Sequence, residues 1–206
     1  LEFDEMYEYI DKLDFFFQRK YGIAITRLKP NRSYESWVFG EISEYGKLGG
    51  QIRGVPLVGS PCYWRREAKE MPFQRWLKEN SISEYKTYVG YVYNEYERWK
   101  NAWQYNAMTP LVDWMWNEPE VQAYLKENMM ENKLYQHFSR SGCGICQKQS
   151  MDAKYQLYKN YKKQWDYMCE LEMRLKNERE SRGEQVQPSF HTTLFTWDME
   201  KIFKQK

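Results

Sequence analysis

Histidine, cysteine and net charge are all scarce in this sequence. It contains only 2 histidines and 4 cysteines among 206 residues, and its formal net charge is only +2. His137 and His191 are therefore the only imidazoles available for acid–base chemistry. The small net charge provides no overall field that favours nucleic acid, although a local basic patch can be hidden in that sum.

Longer signals are also absent. No apolar run approaches the roughly 20 residues that span a bilayer, and no basic stretch followed by an apolar one marks a secretory signal. The sequence lacks the Gly-x-Ser-x-Gly and Gly-x-x-x-x-Gly-Lys-Ser/Thr motifs, and its glycines at 46, 49, 50 and 54 do not fit a dinucleotide fingerprint. We therefore expect a cytoplasmic protein without a membrane segment, whose few cysteines are reduced.

Aromatic residues, in contrast, are abundant. They make up 18% of the chain, with 9 tryptophans, 18 tyrosines and 10 phenylalanines. Such side chains can stack on bases or on adenine, but a tyrosine-rich core and surface is the simpler interpretation.

Hydrophobic periodicity predicts an α/β fold. A helix is expected over 4–20, with Asp4 as its N-cap and Gly22 at its end, followed by a short buried strand over 23–28. A second strand is expected over 85–93, and the glycine-rich segment 46–61 is expected to be a loop. Further helices are predicted over 32–42 with Ser33 as the cap, 73–80 after Pro72, 118–129, 151–180 and 196–203.

The segment "SGCGICQKQS" (141–150) contains two of the four cysteines. The spacing of Cys143 and Cys146 lets two thiolates bind one metal ion or cluster, and Cys62 is the best third ligand, with His137 as a further candidate. Cys169 falls on an apolar helical stripe and is expected to be a buried free cysteine. Ordinary reduced thiols at all four positions remain the alternative.

Arginines are the second candidate group. Arg65, Arg66 and Lys69 follow Cys62 closely, while Arg53 and Arg98 lie on other predicted loops. Guanidinium groups bind phosphate or sulfate through paired hydrogen bonds, and nearby cations lower the pKa of a thiol. We therefore predict a phosphate- or sulfate-binding site here, with solvated surface arginines as the alternative.

Five segments, in this order, resemble the phosphoadenosine phosphosulfate (PAPS) reductase family, especially its phage and prokaryotic branch. They are "LEFDEMYEYID" (1–11), "CYWRREAKEMP" (62–72), "VGYVYNEYERW" (89–99), "MTPLVDWMW" (108–116) and "YQHFSRSGCGICQKQS" (135–150). The resemblance covers residues 1 to about 170. It implies a partial PP-loop-type parallel sheet flanked by helices over 1–115 and a helical C-terminal region over 116–206.

The resemblance also implies a site. An adenosine nucleotide or a sulfur-bearing substrate would be bound by Arg53, Arg65, Arg66, Glu95 and Arg98. Cys62, Cys143 and Cys146 would hold a [4Fe–4S] cluster, with one iron open to substrate or to His137, and zinc is the alternative metal. Family members with a cluster have adjacent cysteines in the first group, whereas this chain has Pro61, Cys62 and Tyr63.

The family's phosphate loop, Ser-Gly-Gly-Lys-Asp-Ser, is expected upstream of Leu1 and is not in this sequence. With such a loop upstream, the resemblance implies an oxidoreductase or sulfurtransferase. Without it, a non-catalytic family member that binds another protein is expected, such as a phage-borne inhibitor of a host defence system. Insertion of sulfur into nucleic acid is a third hypothesis with the same site, in a bacterial or phage-infected cytoplasm.

Overall fold

A computed structural model describes residues 1–139 and 142–205. Helices account for about half of the chain. The α-helices of these residues are α1 (Asp4–Tyr21), α2 (Tyr34–Val38), α3 (Tyr63–Arg65), α4 (Met71–Glu79), α5 (Tyr96–Trp99), α6 (Pro110–Asp113), α7 (Glu118–Glu127), α8 (Met151–Asn160), α9 (Lys162–Ser181) and α10 (Thr196–Phe203). A π-helical turn covers Arg66–Glu70, and 3₁₀ turns cover Ala102–Tyr105 and Lys133–Gln136.

The sheet is a single parallel pair within the described residues. Strand β1 (Thr87–Tyr88) pairs with β2 (Ala107–Met108), with Thr87 opposite Ala107. The protein therefore has a helix-rich α/β fold with a small parallel sheet. The strand predicted over 85–93 is confirmed only at Thr87 and Tyr88.

The predicted buried strand over 23–28 is wrong. Ile23 is 60% exposed and Leu28 is 36% exposed, and no strand of the described residues pairs with this segment. A carboxylate provides its main local contact, because the backbone N–H of Ile25 donates to Asp14 Oδ1 over 2.8 Å. Apolar composition indicated burial here, but the segment lies on the surface.

Most helix boundaries follow the local signals. Gly22 ends α1 in the left-handed region with φ 68°, and the Ser33 hydroxyl caps α2 by accepting the Ser36 N–H. Asp4 is the first residue of α1 rather than its N-cap, which is Phe3. Pro72 lies near the start of α4 as predicted, but the helical backbone begins upstream at Tyr63 and passes through the π-helical turn just before Pro72.

The long helix predicted over 151–180 is interrupted. Tyr161, with φ −131° and ψ 59°, separates α8 from α9, and its ring packs against Phe3 and Phe138 at centroid distances of 4.9 and 5.3 Å. The predicted apolar stripe nevertheless forms the core. Its buried members are Leu157, Tyr161, Trp165, Met168, Leu171 and Leu175.

The chain forms two compact units. The first comprises 1–74 and 133–206, and the second comprises 75–132. The main hydrophobic core belongs to the first unit, whereas Leu77, Val92 and Ala102 are buried residues of the second. The domain boundary predicted between residues 115 and 116 falls inside the second unit.

Among the described helices, none combines the length and the apolar composition that crossing a membrane requires.

Candidate functional site

Cys62 is placed by an aromatic cluster, which we define as Tyr34, Trp37 and Trp64. Cys62 is the N-cap residue of α3, and its carbonyl accepts the backbone N–H of Arg65 over 3.0 Å. Trp64 in the next turn is 7% exposed, and its ring lies 5.2 Å from Tyr34 and 5.7 Å from Trp37. Burial of the aromatic cluster thus fixes the start of α3 and half-buries Cys62 against the core.

The loop of Cys143 and Cys146 is held from two sides. Ile145, which is 3% exposed, anchors it in the core, and the N–H of Cys146 donates to the carbonyl of Cys143 over 3.0 Å. The N–H of Gly144 donates to the carbonyl of Leu1 over 2.7 Å. The N-terminal residues therefore lie against this loop, and Glu2 Oε1 approaches Cys143 Sγ to 4.0 Å.

Three cysteines lie close enough to influence common neighbours. Burial raises the pKa of the Tyr34 hydroxyl well above its ordinary value, and negative charge on Cys62, Cys143 or Cys146 raises it further. Burial also raises the pKa of the Cys143 thiol to about 11, with further contributions from Glu2 and Cys146, while Lys69 acts in the opposite direction. The structure therefore gathers Cys62, Cys143 and Cys146 into one neighbourhood, which we call the thiol site.

The electrostatics of the thiol site disfavour a free reactive thiolate. Reactive cysteines have lowered pKa values because cations or helix N-termini stabilise the anion. Cys143 instead faces burial and a carboxylate, so without a ligand it is a protonated thiol at neutral pH. A bound metal ion reverses this balance, because its charge deprotonates a coordinating thiol outright.

The donor atoms are chemically suitable for a metal, but they are not arranged as a closed coordination shell. Across residues 1–139 and 142–205, no group of three or more His, Cys, Asp or Glu side chains is placed to hold a metal ion. A metal at the thiol site would therefore require Cys62 and the 143–146 loop to move closer together. Metal binding there would also release protons, because a cysteine must lose its proton to coordinate a metal ion.

The role of His137 as a metal ligand stays a prediction. Its Nδ1 lies 3.3 Å from the side-chain nitrogen of Asn160, and its ring meets Tyr161 edge-on at 5.6 Å. Cys169 is a free thiol on α9, as expected, but it is half-buried against the core rather than fully buried, and burial raises its pKa.

The arginines of the first unit have unequal roles. Arg53 donates to the carbonyls of Trp37 and Glu41 over 2.8 and 3.0 Å and lies over the Trp37 ring, so two of its donors brace the end of α2. Arg65 is exposed and paired with Glu70 over 2.7 Å. Arg66 is exposed on the π-helical turn, on the same helical segment as Lys69.

Glu95 and Arg98 belong to the second unit, where they form an ion pair with each other. Arg98 also lies over the Tyr91 ring at 4.8 Å, and Glu95 is within 3.4 Å of the Val92 N–H. These contacts stabilise the turn before α5. The predicted phosphate-binding role of all five residues stays a prediction.

Sequence reasoning identified Lys69 as a cation close to Cys62, but it missed Glu2 and Tyr34 at the thiol site. Lys69 follows Cys62 by seven positions in a helical segment, which places it two turns later, and this closeness in the sequence was the signal. Glu2 and Tyr34 had no such signal, because tertiary packing alone brings them to the cysteines.

No protein-family model matches the chain, and neither a curated protein nor a solved structure shows significant similarity to it.

Proposed function

We propose that the protein is PAPS reductase-like, that its thiol site binds a metal ion or an iron–sulfur cluster, and that it acts on an adenosine nucleotide or a sulfur-bearing substrate. The observation that carries the proposal is the mutual electrostatic influence of Cys62, Cys143 and Cys146, which all act on Tyr34. The same three cysteines match the ligand positions that the family resemblance implies. The parallel pairing of β1 with β2 is compatible with a PP-loop-type sheet.

The surroundings of the thiol site are suitable for binding a metal ion or an iron–sulfur cluster. Three half-buried thiols next to one carboxylate form a donor set for zinc or for an iron–sulfur cluster. Such a cluster supplies electron transfer or an open iron for substrate. The chain itself supplies the apolar wall of the aromatic cluster, which limits access of water to the thiols.

Positive charge beside the thiol site would favour an anionic substrate. Arg65, Arg66 and Lys69 follow Cys62 on one helical segment, and all three are exposed. Exposed guanidinium groups can exchange a surface carboxylate for a phosphate or sulfate at small cost, because a surface ion pair contributes about 1 kcal/mol or less. Arg65, which is paired with Glu70, is the clearest case.

Metal analysis of protein purified without oxygen tests the proposal. We expect iron and sulfide in similar amounts, or zinc, in the unaltered protein, and we expect Cys143→Ser to lose most of that metal. Cys169→Ser is the matched control, because Cys169 is an equally half-buried thiol that lies on α9. An unchanged metal content in Cys143→Ser, or equal loss in Cys169→Ser, would contradict the assignment.

A second function, binding of another protein, is favoured by a separate observation. In the second unit, Trp103, Trp114 and Met115 are 73%, 60% and 67% exposed. Exposed aromatic side chains of this kind often anchor protein interfaces. Zinc as the sole metal, together with no binding of an adenosine nucleotide at about 1 mM, would favour this function over the enzymatic one.

A further inference from the structure

A small cavity lies at the N-terminus of α8, in the first unit. Its volume is about 230 Å³, and residues 147–151, Lys154 and 190–192 form most of its wall. Among the described residues that line it there are two lysines and no Asp or Glu. The cavity therefore has a positive lining in a chain whose overall charge is nearly balanced.

Lys154 is the most unusual residue of this cavity. It is only 2% exposed, and the described residues offer its ammonium group one hydrogen-bond acceptor, the carbonyl of Gln149. An ammonium group has three N–H donors, and burial without acceptors for them is costly. Burial lowers the pKa of Lys154 for this reason. An anion in the cavity would supply the missing acceptors and the opposing charge.

Gln147 provides independent evidence for a ligand. It is 3% exposed, it lines the cavity, and its side-chain Nε2 has no hydrogen-bond partner among the described residues. A buried donor without a partner costs about 1–3 kcal/mol, so such groups usually have a ligand or a water molecule to bind. The donor of Gln147 and the ammonium of Lys154 thus require the same kind of atom, an acceptor oxygen.

The side-chain oxygen of Gln149 requires a hydrogen-bond donor. The Nε2 of Gln149 donates to the carbonyl of Cys143 over 3.5 Å, which orients the amide, and its buried Oε1 accepts no hydrogen bond from the part of the chain that the structure describes. The helix end adds further donors, because first-turn N–H groups have no partner within the helix and favour negative charge. Only the N–H of Ala153 is accepted by the Ser150 cap.

We propose that this cavity binds a phosphate group, with Lys154 and Gln147 donating to its oxygens and Gln149 Oε1 accepting from its protonated oxygen. Hydrogenphosphate and protonated phosphate monoesters provide both acceptors and a hydroxyl donor. Sulfate is fully ionised near neutral pH and lacks that donor, so it should bind more weakly. The proposal needs neither a metal nor a cysteine side chain as a ligand of the phosphate. The cavity nevertheless adjoins the thiol site, because Gln149 donates to the Cys143 carbonyl and negative charge on Cys146 raises the pKa of Lys154.

Calorimetric titration of the whole chain with inorganic phosphate in chloride buffer is the test. We expect saturable binding at one site, and we expect Lys154→Met to weaken it at least about tenfold, the usual effect of losing a charged hydrogen bond. Lys159→Met is the matched control, because Lys159 is an exposed lysine on the same helix and its substitution removes the same charge. Gln147→Leu should also weaken binding, and circular dichroism checks that each variant is folded.

Two results would overturn the proposal. One is equal phosphate affinity in the Lys154→Met and Lys159→Met variants, and the other is sulfate binding as tightly as phosphate. Adenosine monophosphate in a parallel titration identifies the source of the phosphate, because tighter binding than inorganic phosphate assigns the site to a nucleotide. The Lys154→Met protein should keep its metal, and the Cys143→Ser protein should keep phosphate binding. Failure of the phosphate proposal can therefore be distinguished from failure of the metal proposal.

Discussion

At the scale of single residues, Cys143 shows how burial and charge decide the state of a thiol. Its neighbours Glu2 and Cys146 oppose the thiolate, and Lys69 favours it. With a pKa of about 11, Cys143 in metal-free protein is a thiol throughout the physiological range. Its chemistry before metal binding is therefore slow, and metal binding must release a proton.

Alkylation of Cys143 in metal-free protein should reflect this pKa. Because only the thiolate reacts, the rate with iodoacetamide should rise about tenfold per pH unit and should not reach a plateau below about pH 10. Glu2→Gln removes a charge that raises the pKa, so it should speed alkylation at pH 8, whereas Lys69→Met should slow it. Tandem mass spectrometry of the peptide that contains Cys143 measures the rate.

Glu8→Gln is the control for Glu2→Gln, because Glu8 is an exposed carboxylate on the same N-terminal segment. A plateau near pH 9 for Cys143, or equal effects of Glu2→Gln and Glu8→Gln, would contradict the electrostatic account.

Glu172 is a residue whose role the sequence could not reveal. It lies on α9 in the middle of the core and is 1% exposed, and its two oxygens accept the N–H groups of Ser189 and Thr196 over 2.6 Å each. It therefore holds the segment after α9 and caps α10, whose own N-cap, Phe195, provides no side-chain bond. From the sequence alone, a glutamate next to an apolar helical stripe is expected at the surface, because the distant groups that bind it in the core cannot be identified.

At the scale of elements, α9 and the loop at residues 52–54 are joined through Arg179. Its guanidinium donates to the carbonyls of Ile52 and Gln185 over 3.3 and 3.4 Å, and Glu184 accepts the Ile52 N–H over 3.1 Å. Gly54, with φ 76°, lies so close that an added Cβ would overlap Arg179 Nη2. The glycine is needed here both for its backbone conformation and for space.

Gly54→Ala should therefore destabilise the protein more than Gly22→Ala does. Both positions have positive φ, which costs alanine about 1–2 kcal/mol, but a Cβ at Gly22 meets nothing within 4 Å. Displacing Arg179 adds the loss of at least one hydrogen bond, about 1 kcal/mol. Urea unfolding of the two variants measures the difference in the free energy of unfolding.

Arg179→Met provides the control for this comparison. In that background the two glycine substitutions should cost similar amounts, because the overlap at Gly54 is removed. A Gly54→Ala cost that stays larger in the Arg179→Met background would show that the arginine is not the cause.

Helices could be predicted from the sequence more accurately than strands. Helices with local signals were placed correctly, as Ser33 at the start of α2, Gly22 at the end of α1 and the bounds of α10 demonstrate. Strands were predicted poorly, because 23–28 is exposed and only Thr87 and Tyr88 of 85–93 are paired. Pairing depends on residues distant in the chain, whereas a helix cap depends on residues three positions away. The same reasoning explains why the cysteine spacing pointed to the thiol site but Glu2 and Tyr34 were missed.

At the scale of the whole molecule, the two units carry different surfaces. The first unit contains the main core, the thiol site and the cavity at the N-terminus of α8. The second has an apolar groove of about 630 Å³ between α6 and α7, which we call the aromatic groove; it is lined by Leu111, Trp114, Trp116, Val121, Tyr124 and Leu125. The Trp116 ring lies 5.7 Å from Trp114 and 5.6 Å from Tyr124.

The aromatic groove should bind an apolar probe, and Trp114 should account for much of that binding. Trp114→Ser is expected to reduce the fluorescence of bound anilinonaphthalene sulfonate by removing one wall of the groove. The free energy of unfolding should change by only about 0.5 kcal/mol, since Trp114 is 60% exposed.

Trp103→Ser is the matched control, because Trp103 is also largely exposed in the second unit but does not line the groove. Equal loss of fluorescence in both variants would show that the dye binds exposed tryptophans in general and that the aromatic groove is not a distinct binding surface. Selective loss in Trp114→Ser, with metal content unchanged, would separate that surface from the thiol site and allow each function to be tested alone.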